Sequence, residues 1–234
     1  MKQLFLSAIA LCFVPLFSIS PTNTESKNNS ILSGLSFSIG YANSWVSHNN
    51  PKLDGSHDVA PYSFKSTGGH SIGVAIVNNP FLSNERFCLE PNFRYIVRGY
   101  QQYHRGRGDA THQKETKLSY LEPYLKVKLN TARGIDINPF IGIGISLLTK
   151  AETSDLRQPP ITTTMNYANH DIFLMAGFDL TFLEKYFIGF EYSKGTSNIL
   201  HSIGQPDRYG PQHLWQEDTR LYNNTINVSL GILF

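Results

Sequence analysis

The chain has 234 residues, of which 41% are hydrophobic, and its 20 Lys and Arg nearly balance 18 Asp and Glu, for a formal net charge of +2. This near neutrality argues against a nucleic-acid-binding protein, which needs a concentrated basic surface. The length is sufficient for one domain with its own core.

The N-terminus predicts a secretory signal peptide over residues 1–20. Lys2 supplies a positive charge, residues 4–17 form a short apolar run, and small residues precede the expected cleavage point. An N-terminal membrane anchor is the alternative, although the apolar run is short for a spanning helix. Residues 21–234 would then form a single domain that contains one cysteine, Cys88, and therefore no intramolecular disulfide.

Beyond the leader, eight segments alternate large apolar residues with small or polar ones, which is the period-two pattern of a β-strand. No uninterrupted apolar run there is long enough for a membrane-spanning helix. In chain order, the predicted strands cover residues 35–42, 71–77, 87–98, 120–129, 139–148, 172–182, 186–192 and 225–234.

Some of these strands carry further local predictions. Pro91 lies in the third strand, where the missing backbone N–H predicts a bulge or distortion. Gly142 and Gly144 in the fifth strand predict a sharp bend of the wall or a bulky neighbour that fills the space beside them. The last strand ends the chain on Phe234, and its apolar face has to be covered by an apolar surrounding.

Long and short connections alternate along the chain. Short turns follow the second, fourth and sixth strands. Long polar segments follow the first, third, fifth and seventh strands, at residues 43–69, 99–117, 150–169 and 193–224. An up-and-down barrel in an outer membrane requires this order, with both termini on the side of the short turns. The sequence therefore predicts an all-β fold, an eight-stranded antiparallel up-and-down transmembrane β-barrel, over residues 21–234.

A soluble lipocalin-like barrel is the main alternative, because it also has eight strands but places its apolar residues inside. Charged residues recur on one face beside glycines and serines, which suits a narrow lumen in which charges pair. The predicted lumen network consists of Glu90, Arg94, Arg98, Glu122, Lys126, Lys128, Asp179 and Glu191. Side chains fill the interior of a barrel of this size, so we interpret the network as a structural plug, with a small porin as the alternative.

Candidate catalytic and metal-binding residues lie in the predicted loops. A lipid A deacylase-like enzyme would need a Ser/His pair, but no spacing here enforces a hydrogen-bonded nucleophile and base. The candidates are Ser197, His201, Ser202 and His213, with His170 and Asp171 in another loop. A metal site would draw on His104, Asp109, His112 and Glu115, which show no compact ligand spacing. We therefore predict no catalytic, cofactor-binding or metal-binding residues.

Aromatic residues gather toward the ends of the predicted strands. Amphipathic rings at such positions are typical of the headgroup level of a membrane. The predicted belt consists of Tyr41, Trp45, Tyr95, Tyr100, Tyr103, Tyr186 and Tyr192.

Three segments resemble the PorT-like family of small outer-membrane barrels. Residues 117–123 read KLSYLEP, residues 139–144 read PFIGIG, and residues 190–199 read FEYSKGTSNI. In order and spacing they are similar to that family's Tyr-Leu-Glu-x-Pro, Pro-x-x-Gly-x-Gly and Tyr-Ser-x-Gly-x-x-Asn-Ile segments, except that Pro123 follows Glu122 directly. The resemblance implies an eight-stranded outer-membrane barrel, and one member of the family belongs to the type IX secretion apparatus. It also implies that the C-terminal Phe234 is an insertion signal.

These features predict a non-enzymatic integral protein of the bacterial outer membrane, reached after secretion across the inner membrane. Its role would be structural, loop-mediated binding, or envelope assembly and secretion. The expected partners are outer-membrane lipids and lipopolysaccharide, the barrel-assembly machinery, and other envelope or secretion proteins. A lipid-modifying enzyme and a small porin stay open as alternatives.

Overall fold

A computed structural model shows how the predicted strands assemble. It describes residues 34–48, 62–77, 87–105, 111–129, 136–155, 161–162, 167–183, 185–199 and 220–234. The predicted signal peptide over residues 1–20 lies outside this part of the chain. No helix within these ranges is long and apolar enough to cross a membrane.

Strands make up nearly all of the described chain. They are β1 (Leu35–His48), β2 (Tyr62–Ile76), β3 (Phe87–Arg105), β4 (Thr111–Leu129), β5 (Asp136–Asp155), β6 (Ile161–Thr162), β7 (His170–Phe182), β8 (Tyr186–Gly195) and β9 (Leu221–Leu233). The two-residue β6 pairs only with the far end of β5. The other eight strands form the wall.

The eight long strands close into an antiparallel barrel. Each pairs with its neighbours in sequence order, β1 pairs with β9, and the pairing of β4 with β5 completes the sequential wall. The alternation of large and small residues fits strands with one apolar face. Closure of the barrel gives each of the eight long strands two hydrogen-bonded neighbours. The predicted fold class, an eight-stranded antiparallel up-and-down barrel, is confirmed.

Several strands extend beyond their predicted limits at the end where the long connections leave. β3 continues to Arg105 and β4 begins at Thr111, and these two residues are paired with each other. The prediction that residues 99–105 and 111–117 belong to loops is therefore wrong. The outer face of these extensions is polar, so their sequence does not alternate apolar and polar residues. The strands still form there because backbone hydrogen bonds do not require an apolar pattern.

The irregularities of the wall lie away from the predicted position. The register of β3 with β4 is continuous through the pair Pro91 and Leu125, so the predicted bulge at Pro91 is absent. The ladder between β2 and β3 ends at Asn92, and Pro91 therefore has no β2 partner to lose. The observed register shifts fall between Ser66 and Ser71 of β2, and between the β4 residues 119 and 120.

Ser44 bridges the irregular stretch of β2. Its Oγ donates to the Gly99 carbonyl oxygen at 3.1 Å and accepts from the Gly99 N–H at 2.7 Å, so β1 contacts β3 directly. Gly69 on the intervening strand has room only for hydrogen, since a Cβ there would collide with the carbonyl oxygen of Val97. One buried hydroxyl thus supplies the partners that the interrupted ladder lacks.

Replacing Ser44 by Ala should lower the free energy of unfolding by about 1–3 kcal/mol, because the buried Gly99 N–H and carbonyl lose this partner. The measurement is the urea midpoint of the folded barrel, followed by its electrophoretic migration without heating. Ser66→Ala is the matched control, because Ser66 is exposed beside the same irregularity. Equal midpoints for the two variants would contradict the bridging role of Ser44.

Candidate functional site

The outer wall of the barrel is apolar and its interior is charged. Ile39, Ile141 and Leu230 are 64%, 66% and 56% exposed, whereas Glu122 and Arg98 are 0% and 1% exposed. A lipocalin-like barrel would show the reverse distribution. The exposed apolar residues on the wall include Phe37, Ile39, Tyr41, Ile72, Val127, Ile137, Ile141, Ile143, Ile145, Ile172, Leu174, Phe178, Phe182, Tyr186, Phe190, Tyr192, Ile226, Val228 and Leu230. This is the distribution expected of a barrel surrounded by lipid.

Glu122 is the centre of the charged interior. Its Oε2 accepts from Arg94 Nε at 2.7 Å, and its Oε1 lies 2.8 Å from Arg98 Nη2. Ser146 also donates to Oε1. Arg94 reaches across the lumen to Glu191, with 2.7 Å between Nη1 and Oε1. A buried carboxylate is stabilised here by two guanidinium groups and a hydroxyl, which is the pairing that desolvated charges require.

A second group of charges lies toward the short-turn end. Lys128 Nζ pairs with Glu90 and lies 2.6 Å from Asp179 Oδ2, while Lys126 Nζ lies 4.0 Å from the same oxygen. Each group contains two cations and two carboxylates, and we call the two groups together the ionic network. Its members are Glu90, Arg94, Arg98, Glu122, Lys126, Lys128, Asp179 and Glu191.

Aromatic rings separate and support these charges. The Phe173 ring lies between the two guanidinium groups, with centroid distances of 5.7 Å to Arg94 Cζ and 5.5 Å to Arg98 Cζ. Lys126 Nζ lies 4.1 Å from the centroid of Phe140. Such contacts stabilise cations that have left water. Phe173 and Ser146 were absent from the predicted network, although each lies on the inward face of its strand.

The glycines of β5 make room for inward side chains. A Cβ on Gly142 would lie 2.9 Å from Met175 Cγ, and a Cβ on Gly144 would lie 2.5 Å from Phe173 Cζ. The predicted bulky neighbours are therefore observed beside both glycines. This arrangement fills the lumen instead of widening it.

Above the ionic network the interior becomes apolar. Strand β4 shows the change. Its inward side chains Leu118 and Tyr120 are apolar or aromatic, whereas Glu122 and Lys126, further toward the short-turn end, are charged. We call the apolar part the upper cluster, and its buried members are Ala42, Val46, Ile96, Tyr100, Leu118, Tyr120, Ala151, Tyr167, Ile199 and Leu221. The upper cluster closes the barrel at the end where the long connections leave.

Tyr100 belongs to this cluster and not to the outer belt, so its predicted position at the headgroup level is wrong. It shares strand parity with Arg94 and Arg98 and therefore faces inward, where only 4% of it is exposed. Its hydroxyl contacts that of Tyr167 at 3.1 Å. Burial, with the neighbouring Tyr167, raises the pKa of Tyr100 well above its usual value.

A small polar cavity lies inside the barrel. It has a volume of about 20 Å³, and Arg94 and hydroxyl, amide and charged groups line it, including Ser36, Ser38, Asn92 and Asn227. A space of that size holds about one water molecule.

Two of the candidate catalytic residues meet in the described chain. Asp171 is buried, and its Oδ1 accepts from the Ser197 N–H at 2.9 Å. His170 is exposed on the opposite face of the strand. His201, Ser202 and His213 lie outside the described residues. Within the described ranges, Ser197 therefore has a carboxylate beside it, and no hydrogen bond joins either residue to a histidine.

Two of the four candidate metal ligands lie opposite each other on neighbouring strands. His104 and His112 are paired across β3 and β4, Asp109 lies outside the described residues, and Glu115 accepts from Thr67 Oγ1 at 3.0 Å. Within the described ranges, no three His, Cys, Asp or Glu side chains form a group that could hold a metal ion.

The C-terminal residue is built into the short-turn end of the wall. Phe234 donates its N–H to the Leu35 carbonyl at 2.9 Å and accepts from the Gly34 N–H at 2.8 Å. Its ring meets Phe37 edge to face, with centroids 5.7 Å apart, and stays half exposed on the outer wall. The first and last strands are therefore joined down to their final residues.

Comparison with protein-family models gives no match. The curated proteins contain no match either. Among solved structures, Neisserial surface protein A (NspA) has 9% identity and a TM-score of 0.47, covering 86% of this chain and 98% of its own. Ail of Yersinia pestis, solved with the heparin analogue sucrose octasulfate, has 15% identity, a TM-score of 0.43 and coverages of 86% and 99%.

OprG from Pseudomonas aeruginosa has 14% identity and a TM-score of 0.43, covering 86% of this chain and 96% of its own. These similar structures are eight-stranded outer-membrane barrels. At such identities the likeness concerns the fold. The chain is thus a closed eight-stranded antiparallel barrel with an apolar wall and an interior that contains buried ion pairs.

Proposed function

We propose that this chain is a non-enzymatic integral protein of the bacterial outer membrane, and that its closed barrel is a scaffold for a binding surface outside the cell. The observation that carries the proposal is the reversal of polarity along the barrel axis. In the lower part the wall is apolar and the interior is ionic. In the upper part the interior is apolar and the outer face is polar, as in a water-soluble barrel.

The height of the apolar wall fits a bilayer. On β9 the outward side chains from Ile226 to Phe234 are all apolar, a stretch of nine residues. About 9–11 residues cross a membrane as a tilted strand. The short turns and the C-terminus would lie in the periplasm, and Phe234 would act as the insertion signal for the barrel-assembly machinery.

The upper part of the barrel projects beyond this height. β3 and β4 have 19 residues each, about eight more than a crossing needs. Their ends therefore reach roughly 20 Å past the apolar wall. The upper cluster gives this projection its own core, so the long connections leave from a rigid rim. Rigid strands that present variable connections are a common arrangement for binding sites.

The interior supports a structural role and not a conducting one. All charges of the ionic network have partners, and the upper cluster covers them on one side. Opening a path would break buried ion pairs and expose the apolar upper cluster to water, and both changes are costly. This supports the scaffold over the small-porin alternative. Against the enzyme alternative stands the position of His170, which faces away from the contact between Ser197 and Asp171 in the described chain.

A role in envelope assembly or secretion is the second candidate, because of the resemblance to the PorT-like family. One structural feature favours it. Leu183, in the turn between β7 and β8, is 78% exposed at the periplasmic end and adopts a positive φ of 51°. An apolar side chain presented there is available to a periplasmic protein. Co-purification of such a partner, lost in Leu183→Asp, would support this second candidate.

The scaffold proposal is tested with purified protein in lipid. Before heating, the protein should migrate on gels as a compact species, and boiling should shift it to its full apparent mass. In planar bilayers it should give no steady single-channel conductance, in contrast to a trimeric porin measured in parallel. Membranes that contain it should keep an unaltered lipid A mass spectrum.

Three results would each contradict a part of this proposal. Recovery in the soluble fraction without a heat-dependent shift would contradict membrane insertion. Steady conductance would contradict the filled lumen. A change in lipid A mass that depends on Ser197 or Ser202 would contradict the non-enzymatic role.

A further inference from the structure

Two parts of the outer wall differ in charge at the upper edge of the apolar surface. On the part formed by β4 and β5, outward cations have acidic partners, with Lys117 Nζ at 3.6 Å from Glu115 and Lys150 paired with Glu152. On the part formed by β7, β8, β9 and β1, the described outward side chains include no carboxylate. Lys194 is exposed there, and no described acidic residue lies within ion-pair distance of it.

Lys194 lies beside an aromatic pair that the wall orients. Strand register places Trp45, Asn224 and Lys194 in one row across β1, β9 and β8. The Trp45 ring stacks against Tyr192, with centroids 6.3 Å apart and an interplanar angle of 29°. Tyr192 is two residues before Lys194 and points to the same side. Two rings and one cation therefore share a small outward area.

Hydrogen bonds beneath the rings hold this area in place. The Tyr192 hydroxyl donates to Asn224 Oδ1 at 3.0 Å, and Asn224 Nδ2 donates to Ser47 Oγ at 3.0 Å. Asn224 is only 4% exposed although it faces outward, because the aromatic side chains cover it. A buried amide that orients an aromatic ring reduces the entropy lost when the ring binds a ligand.

A small side chain lies beside Tyr192 on the neighbouring strand β7. Ala176 is in register with Tyr192, between the larger outward residues Leu174 and Phe178 of the same strand. The neighbouring position on β5 is Ile141, which is also in register with Ala176. The wall is therefore recessed at Ala176 relative to its neighbours. A recess in a lipid-facing wall fits one hydrocarbon chain.

We propose that this area, Trp45, Tyr192, Lys194 and the recess at Ala176, binds a phosphorylated glycolipid of the outer leaflet. Lys194 takes the phosphate, the Trp45 and Tyr192 rings pack against the sugar, and an acyl chain occupies the recess. Lys194 adjoins Tyr192 along β8 and Ala176 adjoins Tyr192 across to β7, so the cation, the ring and the recess follow one another as the phosphate, sugar and acyl chain do in such a lipid. The inference rests on the proposed function, because the upper rim must face the outer leaflet.

The test uses the full barrel in nanodiscs of zwitterionic phospholipid, titrated with lipid A or with dephosphorylated lipid A. Lys194→Gln should weaken lipid A binding about fivefold, because a lysine near a charged membrane surface contributes about 1 kcal/mol. Lys150→Gln is the matched control, since it removes the same charge from the part of the wall formed by β4 and β5. Trp45→Leu should also weaken binding while leaving the net charge unchanged.

The possible outcomes separate the site from the fold. Equal weakening by Lys194→Gln and Lys150→Gln, or no weakening by either, would overturn the site. Equal binding of dephosphorylated lipid A would overturn the role of the phosphate. Wild-type protein that enters the nanodiscs with its heat-dependent gel shift but shows no preference for lipid A would refute the site alone. Failure to enter the nanodiscs would refute the proposed function and the site together.

Discussion

Glu122→Gln should destabilise the barrel by about 3–5 kcal/mol, because removing one partner leaves buried charges uncompensated. Glu122 is 0% exposed and pairs with both Arg94 and Arg98, so its loss affects two guanidinium groups at once. The amide keeps the shape of the side chain and retains one oxygen as an acceptor. The destabilisation would therefore result from the lost negative charge and not from a cavity.

The measurement is the urea midpoint of the compact, unheated species of wild type and variant. Glu152→Gln is the matched control, because Glu152 pairs with Lys150 on the outer face, where the side chains are 37% and 53% exposed. Exposed ion pairs contribute little to stability, so we expect its midpoint to stay near that of wild type. If Glu122→Gln unfolds at the same urea concentration as Glu152→Gln, the ionic network is not needed for stability.

Gly177→Ala should prevent the barrel from forming. Gly177 faces inward on β7, and a Cβ there would collide with the Phe190 carbonyl oxygen and lie 2.7 Å from Phe140 Cζ and 3.0 Å from Glu191 Cα. Two of these three atoms belong to the backbone of the neighbouring β8. Backbone in a hydrogen-bonded ladder cannot move aside without breaking the ladder, and a closed barrel has no free edge to absorb the shift.

Refolding into detergent micelles, followed by gels run without heating, checks this expectation. Gly177→Ala should give no compact species, or a small fraction of the wild-type yield. Gly73→Ala is the control, since its added Cβ would meet first the Ser38 Oγ, a side-chain atom at 3.0 Å. Normal assembly of Gly177→Ala would show that β7 and β8 can separate locally, contrary to the continuous register between them.

Strand parity explains which parts of the interior could be predicted. Arg94, Glu122 and Glu191 each occupy a polar position in an alternating strand, and parity alone assigns them to one face. The same rule applied to Tyr100 places it inside, where the structure has it. Its position near a strand end predicts a belt residue, and this prediction is wrong because parity decides which face a side chain occupies.

The pairing within the interior required the assembled barrel. Arg94 and Glu122 are directly opposite on neighbouring strands, so strand order could indicate their contact. Arg94 and Glu191 lie 97 positions apart, on strands that are not neighbours, and meet only across the lumen. The insertion of Phe173 between the guanidinium groups depends likewise on the stagger of the strands, which sequence does not specify.

The extent of the strands beyond the apolar wall also required the structure. Residues 99–105 and 111–117 lack the apolar alternation that marks a half-buried strand, yet they form the longest hairpin of the described wall. Hydrogen bonds to β2 and β5 extend this hairpin, and those partners are distant in sequence. The contact between Ser44 and Gly99 could not be predicted from the sequence either, because it forms where the ladder between β2 and β3 is interrupted.

The sequence by itself determined the fold class, the number and order of the membrane strands, and the face on which charges lie. These follow from local rules, because a strand has a period of two and a barrel needs alternating short and long connections. Only the tertiary structure decided which charges pair, that an apolar cluster covers them, and that Trp45, Tyr192 and Lys194 adjoin on one side of the wall. Those contacts join strands that are remote in the chain, and their geometry is set by closure and stagger of the whole barrel.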